Sequence, residues 1–172
     1  MELLNIMLKR RSVREYNDEN IPEEKLEKIL QAGLLAPTSR NRKPCEFYLV
    51  KNKEILKKLS KSKASGSSML EKANAAIVVV ADSQKADTWI EDSSIALAYM
   101  DLMATQQDVG SCWCQSHLRF SADEEKSEDV IRNIFSLNDN YRIVGILSLG
   151  LTNNRPEAHC IDDIDENKIK YY

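Results

Sequence analysis

The chain has 172 residues, 42% of them hydrophobic and 30% charged, with 24 Lys+Arg against 27 Asp+Glu and a net charge of −3. Those proportions exclude a disordered or fibrous chain, and the length suits one domain over residues 1–172, able to bury about two-thirds of its unfolded surface. The longest apolar run, Ala75–Ala81, is far short of the roughly 20 residues of a membrane span.

The N-terminal MELLNIMLKRR has no small-residue cleavage site, so no signal peptide is expected. Leu3, Leu4, Met7 and Leu8 recur at helical spacing and predict a short helix over 2–9. Asn20, Pro22 and Glu23 open a second helix, with Leu26, Ile29, Leu30 and Leu34 on one face, which must end before Pro37. A strand over Glu46–Lys51 follows, then a short Lys-rich helix, a mobile Ser60–Ser68 loop and a buried strand at Ala76–Ala81. Asp87–Asp108 is the longest helical pattern; its second half carries few charges and many small residues, as suits a central or interfacial helix. Gly110 stops it, and Ser111–Ser116 reads as a strand or extended loop. Ser121 and Glu124 have capping-box spacing and predict a helix through Phe135. Arg142–Leu151 is a second buried strand, and the closing Lys168–Tyr172 could pair as an edge strand. Helices and strands mix without strict alternation, so the fold class is α+β. A long polar tail after the last core strand is expected to pack on a partner subunit.

Charge is unevenly spread: residues 1–63 carry +6 and residues 64–172 carry −9. An acidic chain with a basic N-terminal third is a poor nucleic-acid binder, since counterion release needs many phosphate contacts, and a better host for one small anionic ligand. Two segments could hold it. In Arg10–Tyr16 (RRSVREY), Arg10, Ser12 and Arg14 alternate, so an extended backbone projects them from one face, and guanidinium forks suit phosphate oxygens. A solvated basic face is the plain alternative. In Ala36–Pro44 (APTSRNRKP), two prolines bracket a polar loop, whose commonest fate is an ordinary turn.

The four cysteines, at 45, 112, 114 and 160, form no regular framework and point to reduced thiols in the cytoplasm. Cys112, Cys114 and His117 lack the wider spacing of structural zinc sites, so no metal is expected, and buried thiols in a strand are the ordinary outcome. Neither histidine has a hydrolytic signature around it, and the five glycines form neither GxGxxG nor a P-loop.

RRSVREY, then APTSRNRKP, then DVGSCWC after a long helix, with RPEAH and DENKIKYY in the tail, together resemble the nitroreductase family of FMN-dependent oxidoreductases over most of the chain. The resemblance implies a central mixed sheet flanked by helices, in an intertwined homodimer with two flavin sites built from both chains. By position, Arg10, Arg11, Ser12 and Arg14 would hold the FMN phosphate and ribityl chain. Pro37, Thr38, Ser39 and Asn41 would come from the other subunit to line the ring and ribityl. Cys114 and Gln115 match the stretch that passes the ring's N5 and O4; Ser65 would add a polar ring contact, and Arg155, in competition with His159, a phosphate contact. Lys43 stands where the family loop more often has Gln, and Cys114–Gln115–Ser116 where Ile, Glu or Gly are common, which bears on substrate preference. The implied activity is ping-pong transfer from NAD(P)H to a nitroaromatic, quinone or similar acceptor, with no obligatory catalytic side chain. The alternatives are a flavin sensor or storage protein, its ring face blocked beside Trp113, and a protein whose basic segment binds an acidic partner.

Overall fold

A computed structural model describes residues 2–172. In chain order the elements are α1 (Leu3–Lys9), α2 (Glu23–Leu35), β1 (Cys45–Val50), α3 (Lys53–Ser60), β2 (Ala75–Asp82), α4 (Trp89–Gln106), β3 (Gly110–Gln115), α5 (Ser127–Phe135) and β4 (Tyr141–Gly150). Asn52 starts α3 by accepting from the backbone N–H of Glu54 and Ile55 at 2.9 and 3.1 Å. Glu23 and Glu24 place negative charge on the first turn of α2, where the helix dipole favours it.

The four strands form one sheet in the order β1-β2-β4-β3, and every neighbouring pair is antiparallel. The mixed sheet expected from the family resemblance is not what the described chain forms. The reason is topological: α4 carries the chain from β2 to β3, which run the same way, and β4 slots between them.

β2 explains the uninterrupted Ala75–Ala81 run, because it is buried on both faces. Ala75, Ile77, Val79 and Ala81 meet Leu26, Ile29, Leu97 and Met100 of α2 and α4. Ala76, Val78 and Val80 meet Leu56, Leu59, Leu70 and Ile131 on the other side. Alternate residues of a strand point to opposite faces, so a central strand covered twice is apolar throughout. Each fully buried valine or isoleucine of the strand contributes about 2 kcal/mol.

Two local expectations are corrected. The Ser121–Glu124 spacing closes a turn and starts no helix: Ser121 Oγ accepts from the backbone N–H of Asp123 and Glu125, both at 3.2 Å, and Glu124 is left-handed at φ 61°. α5 begins only at Ser127. Lys168–Tyr172 forms no strand; the tail beyond Thr152 is exposed throughout and carries two short 3₁₀ turns, Ile161–Asp163 and Glu166–Lys168. His159 N–H donates to Leu8 O at 2.9 Å, and the Arg11 guanidinium donates to Glu157 O, which tie the tail to α1. No helix of the described residues is long and apolar enough to cross a membrane.

Candidate functional site

After α1 the chain straightens and lies along the outer edge of β3. Ser12 bridges Ser111 in parallel, and Val13 N–H donates to Ser111 O at 2.8 Å. Val13 is buried, Arg10 turns to Asp101 of α4, and Ser12 and Arg14 line clefts on the surface. The segment is pressed down hard. A Cβ on Gly110 would sit 2.8 Å from Val13 Cγ1, and one on Gly150 would sit 2.4 Å from the Tyr16 ring. The Tyr16 hydroxyl meets Val13 O at 2.8 Å and Ser148 Oγ at 2.6 Å, and burial pushes its phenol far above the ordinary value.

Arg10 Nη1 lies 3.6 Å from Asp101 Oδ2 in α4, and Asp101 Oδ1 accepts from Ser111 Oγ at 2.5 Å. Burial raises the Asp101 pKa against the opposing pull of Ser111 and Arg10. Asp101 positions Arg10, and the sequence reading missed it; its one signal is being the only charge between Asp92 and Asp108. Arg14 stands between two clefts. One, of about 590 Å³, is lined by Arg14, Glu15, Ser68, Met69, Glu71 and Lys72; the other, of about 300 Å³, by Ser12, Arg14, Glu15, Asn154 and Pro156.

Not every candidate joins them. Arg11 is turned to the tail carbonyl of Glu157. Ser65 is exposed in the loop after α3, and Ser68 takes the place lining the larger cleft. Arg155 is exposed between Asn154 and Pro156, and the His159 ring is engaged by Asp163, with Nδ1 3.2 Å from Oδ2.

Farther along β3, the register turns the backbone N–H and C=O of Trp113 and Gln115 outward, past the last strand of the sheet. The Trp113 side chain packs into the α4-side core against Gly145, its Nε1 donating to Gln115 Oε1 at 3.0 Å. Cys112 and Cys114 point to the other face, both buried. The Cys114 thiol donates toward Cys112 and lowers the Cys112 pKa, while that shared proton and burial raise Cys114.

The second loop is far away. Ser39–Asn41 is a 3₁₀ turn, and Arg40, Asn41 and Lys43 all have positive φ, near 50°. Thr38 Oγ1 accepts from Lys43 N–H at 3.0 Å, and Ser39 N–H donates to the buried Asp92 Oδ1 at 2.9 Å. The loop feeds β1, which pairs Cys45 with Ala81, itself opposite Arg142 at the start of β4. The Arg10–Arg14 segment adjoins Ser111, opposite Leu149 at the other end of β4. The two segments therefore occupy diagonal corners of the sheet, and the carboxylates that hold them, Asp92 and Asp101, stand about 14 Å apart along α4. One chain does not bring them together.

A third feature is apolar. α1, α2 and α4 frame a groove of about 420 Å³ lined by Leu3, Met7, Leu35, Tyr99, Leu102 and Met103. Leu35 is 78% exposed and Leu3 58%.

The Nitroreductase family profile matches residues 7–68 and 61–151. The chain belongs to the nitroreductase family. It is similar to the structure of an FMN-dependent nitroreductase from Clostridium difficile R20291, at TM-score 0.94 and 38% identity over 98% of each chain. A curated relative from Archaeoglobus fulgidus is 34% identical over 94% of this chain and 92% of its own, its name carrying NADH dehydrogenase/NAD(P)H nitroreductase as a provisional assignment. An FMN reductase [NAD(P)H] of Bacillus subtilis matches 53% of this chain, at 32% identity, across 36% of its own length.

FMN fits the donors present. A phosphate needs a cationic fork and a hydroxyl at a reachable cleft, which Arg14 and Ser12 offer, with Arg10 on the same extended segment. An isoalloxazine edge needs backbone donors and acceptors in a line, which the outer edge of β3 presents. Among the described residues, no three His, Cys, Asp or Glu side chains are grouped to hold a metal ion.

Proposed function

We propose that the protein is an FMN-dependent NAD(P)H oxidoreductase that acts as a homodimer, the whole 1–172 chain serving as one FMN-binding domain. The observation that carries this is the β3-edge corner, where Ser12 and Arg14 line clefts beside the last strand of the sheet and Arg10 of the same segment pairs with Asp101. In this reading Arg10 and Arg14 neutralise the phosphate, Ser12 adds a hydroxyl, and Asp101 holds the Arg10 guanidinium in place. The backbone from Cys114 to Gln115 meets the ring edge. Pro37, Thr38, Ser39 and Asn41 come from the second subunit, because within one chain they lie at the opposite corner. Arg11 and Arg155 sit at the tail side and Ser65 at the loop rim, outside the direct phosphate set.

Two surfaces support the homodimer. The α1–α2–α4 groove leaves large apolar side chains in water, and patches of this kind mark interaction sites. The tail leaves Ile161, Ile164 and Ile169 exposed, a strip suited to crossing a partner subunit.

When bound, FMN supplies the two-electron chemistry, taking reducing equivalents from NAD(P)H and passing them to a nitroaromatic, quinone or similar acceptor. The chain's part is positional and electrostatic: guanidiniums fix the phosphate, and β3 amides and carbonyls set the ring edge. NAD(P)H and the acceptor use the same open face in turn, which a ping-pong pattern in initial rates would reveal. Water can supply the proton, so no side chain is assigned as acid or base.

The test is the visible spectrum of the purified protein, followed without oxygen on adding NADH, then NADPH, then a quinone or nitroaromatic. A yellow protein that bleaches and recovers is expected. A yellow protein that never bleaches means a sensor or storage role. A colourless one that takes up no FMN overturns the proposal and favours an interaction protein.

A further inference from the structure

Beneath the β3 edge lies a group of atoms for which the proposed reaction has no use. Cys112 and Cys114 share the strand face opposite Trp113, and both are buried. Cys114 Sγ lies 3.4 Å from Met69 Sδ, on the 3₁₀ turn Ser68–Lys72. Cys112 lies two residues earlier on the same strand face, so two separate elements bring three sulfur-bearing side chains into one otherwise apolar cluster with Leu70, Ile143 and Ile146. Met69 also lines the cleft of about 590 Å³ that opens beside Arg14, so the group borders solvent-accessible space through Met69.

We propose that Cys112, Cys114 and Met69 form a three-sulfur binding site for a soft monovalent cation, copper(I). Two thiolates and a thioether suit three-coordinate copper(I), whereas zinc takes four ligands and calcium and magnesium take oxygen donors that are missing here. The only histidine on the neighbouring stretch, His117, is held by Glu128 through Nδ1 at 2.7 Å. With metal–sulfur bonds of about 2.3 Å, a trigonal site sets its sulfurs about 4 Å apart, a small widening of the present Cys114–Met69 contact. A disulfide fits less well. Same-face neighbours on a strand have Cα atoms about 6.8 Å apart, at the upper limit for that bond. Binding is balanced by proton release: one copper(I) displaces two thiol protons to solvent and leaves a site of charge −1. Arg14 lies close enough to act on both thiols and Lys63 on Cys114, so that charge is met by two cations.

The purified full-length protein, with whatever flavin it carries, is titrated anaerobically with copper(I) supplied as its acetonitrile complex, against the chelator bicinchoninate. One copper per chain is expected. Cys112→Ser and Cys114→Ser should each weaken binding at least about 100-fold, and Met69→Leu about 10-fold, the scale of loss when a metal's supporting groups are removed. The double variant Cys45→Ser/Cys160→Ser should bind as the parent does. Loss of binding in that double variant, or no uptake by the parent, overturns the proposal. Because a serine in this core could disturb folding, copper-edge X-ray absorption of the loaded parent decides independently. Three sulfur neighbours near 2.3 Å support the site; two sulfurs only, or nitrogen and oxygen neighbours, overturn it.

Discussion

The two corners of the sheet that hold the family motifs are built in opposite ways. At the Arg10–Arg14 corner the chain is extended and relaxed, and rigidity comes from below, where Val13 and Tyr16 press against Gly110 and Gly150 with no room for a Cβ. At the Pro37–Asn41 corner the backbone itself is unusual, with three residues at positive φ, and one buried carboxylate, Asp92, holds it through the Ser39 amide. Positive φ at non-glycine residues costs free energy and persists only where the surroundings over-determine it. Each corner thus has its own carboxylate support, Asp92 for one and Asp101 for the other, at two points along α4. Two half-sites kept ready and apart are what a binding site shared between two copies of a chain requires.

The largest expected effect comes from emptying one corner. Arg10→Ala with Arg14→Ala removes both phosphate partners, each worth about 1.5–3 kcal/mol as a charged hydrogen bond, so FMN affinity should fall at least 100-fold with the fold intact. Flavin content by absorbance and folding by circular dichroism check this. The sharper form mixes that variant with a second, Thr38→Ala/Asn41→Ala. If each site takes its arginines from one chain and its loop from the other, a heterodimer contains one doubly damaged site and one intact site. Equal amounts mixed at random should then regain about a quarter of the parent's flavin, and purified heterodimer about half. If both corners of one chain served one site, every site would carry a lesion and mixing would restore nothing.

The next effects separate the supports. Gly150→Ala drives a methyl into the Tyr16 ring, and overpacking of this kind costs about 1–3 kcal/mol. It should lower the thermal midpoint and loosen the Arg10–Arg14 corner. Asp92→Ala strands the Ser39 amide, costing about 1–3 kcal/mol, and should free the other loop instead. Amide hydrogen exchange would assign each change to its corner. The same opened segment in both variants would contradict the independence of the two supports.

How much of this could be read from the chain depends on the range of the interactions. The β2 run, the long α4 and the extended Arg10–Arg14 segment were legible because periodicity and alternation are local signals. The carboxylates at 92 and 101 were not, since an acidic residue in a helix looks the same whether it meets water or pins a loop across the fold. Ser121 and Glu124 misled for a related reason. A serine oxygen accepting from amides two and four residues on serves a turn as well as a helix start, and the left-handed Glu124 settles it. The strand directions escaped because β4, last in sequence, inserts between β2 and β3.

The smallest expected effect is on pH, and here too the two ends of the sheet differ. Glu128 accepts from Arg142 Nε and Nη2 at 2.9 and 3.0 Å and from Ile143 N–H at 3.1 Å, and pairs with His117, at the β4 end nearer the Pro37–Asn41 loop. Burial works to raise its pKa, but those bonds outweigh it and hold the carboxyl below its ordinary value. A depressed carboxylate contributes stability that is present above its unfolded pKa, about 4.3, and is lost as pH falls through the folded value. Asp101, beneath Arg10, is raised by burial. Its contribution has the opposite sign: present below its unfolded pKa, about 3.9, and lost as pH rises through the folded value. Acidification should therefore weaken the Glu128 end first while the Arg10 end holds. Hydrogen exchange followed from pH 6 to 3 should show α5 and the start of β4 losing protection before the Ser12–Ser111 bridge. Glu128→Gln should flatten the acid limb of the stability profile, and Asp101→Asn should steepen it. Parallel loss of protection at both ends would mean that the sheet opens as one unit and that the two corners share a support.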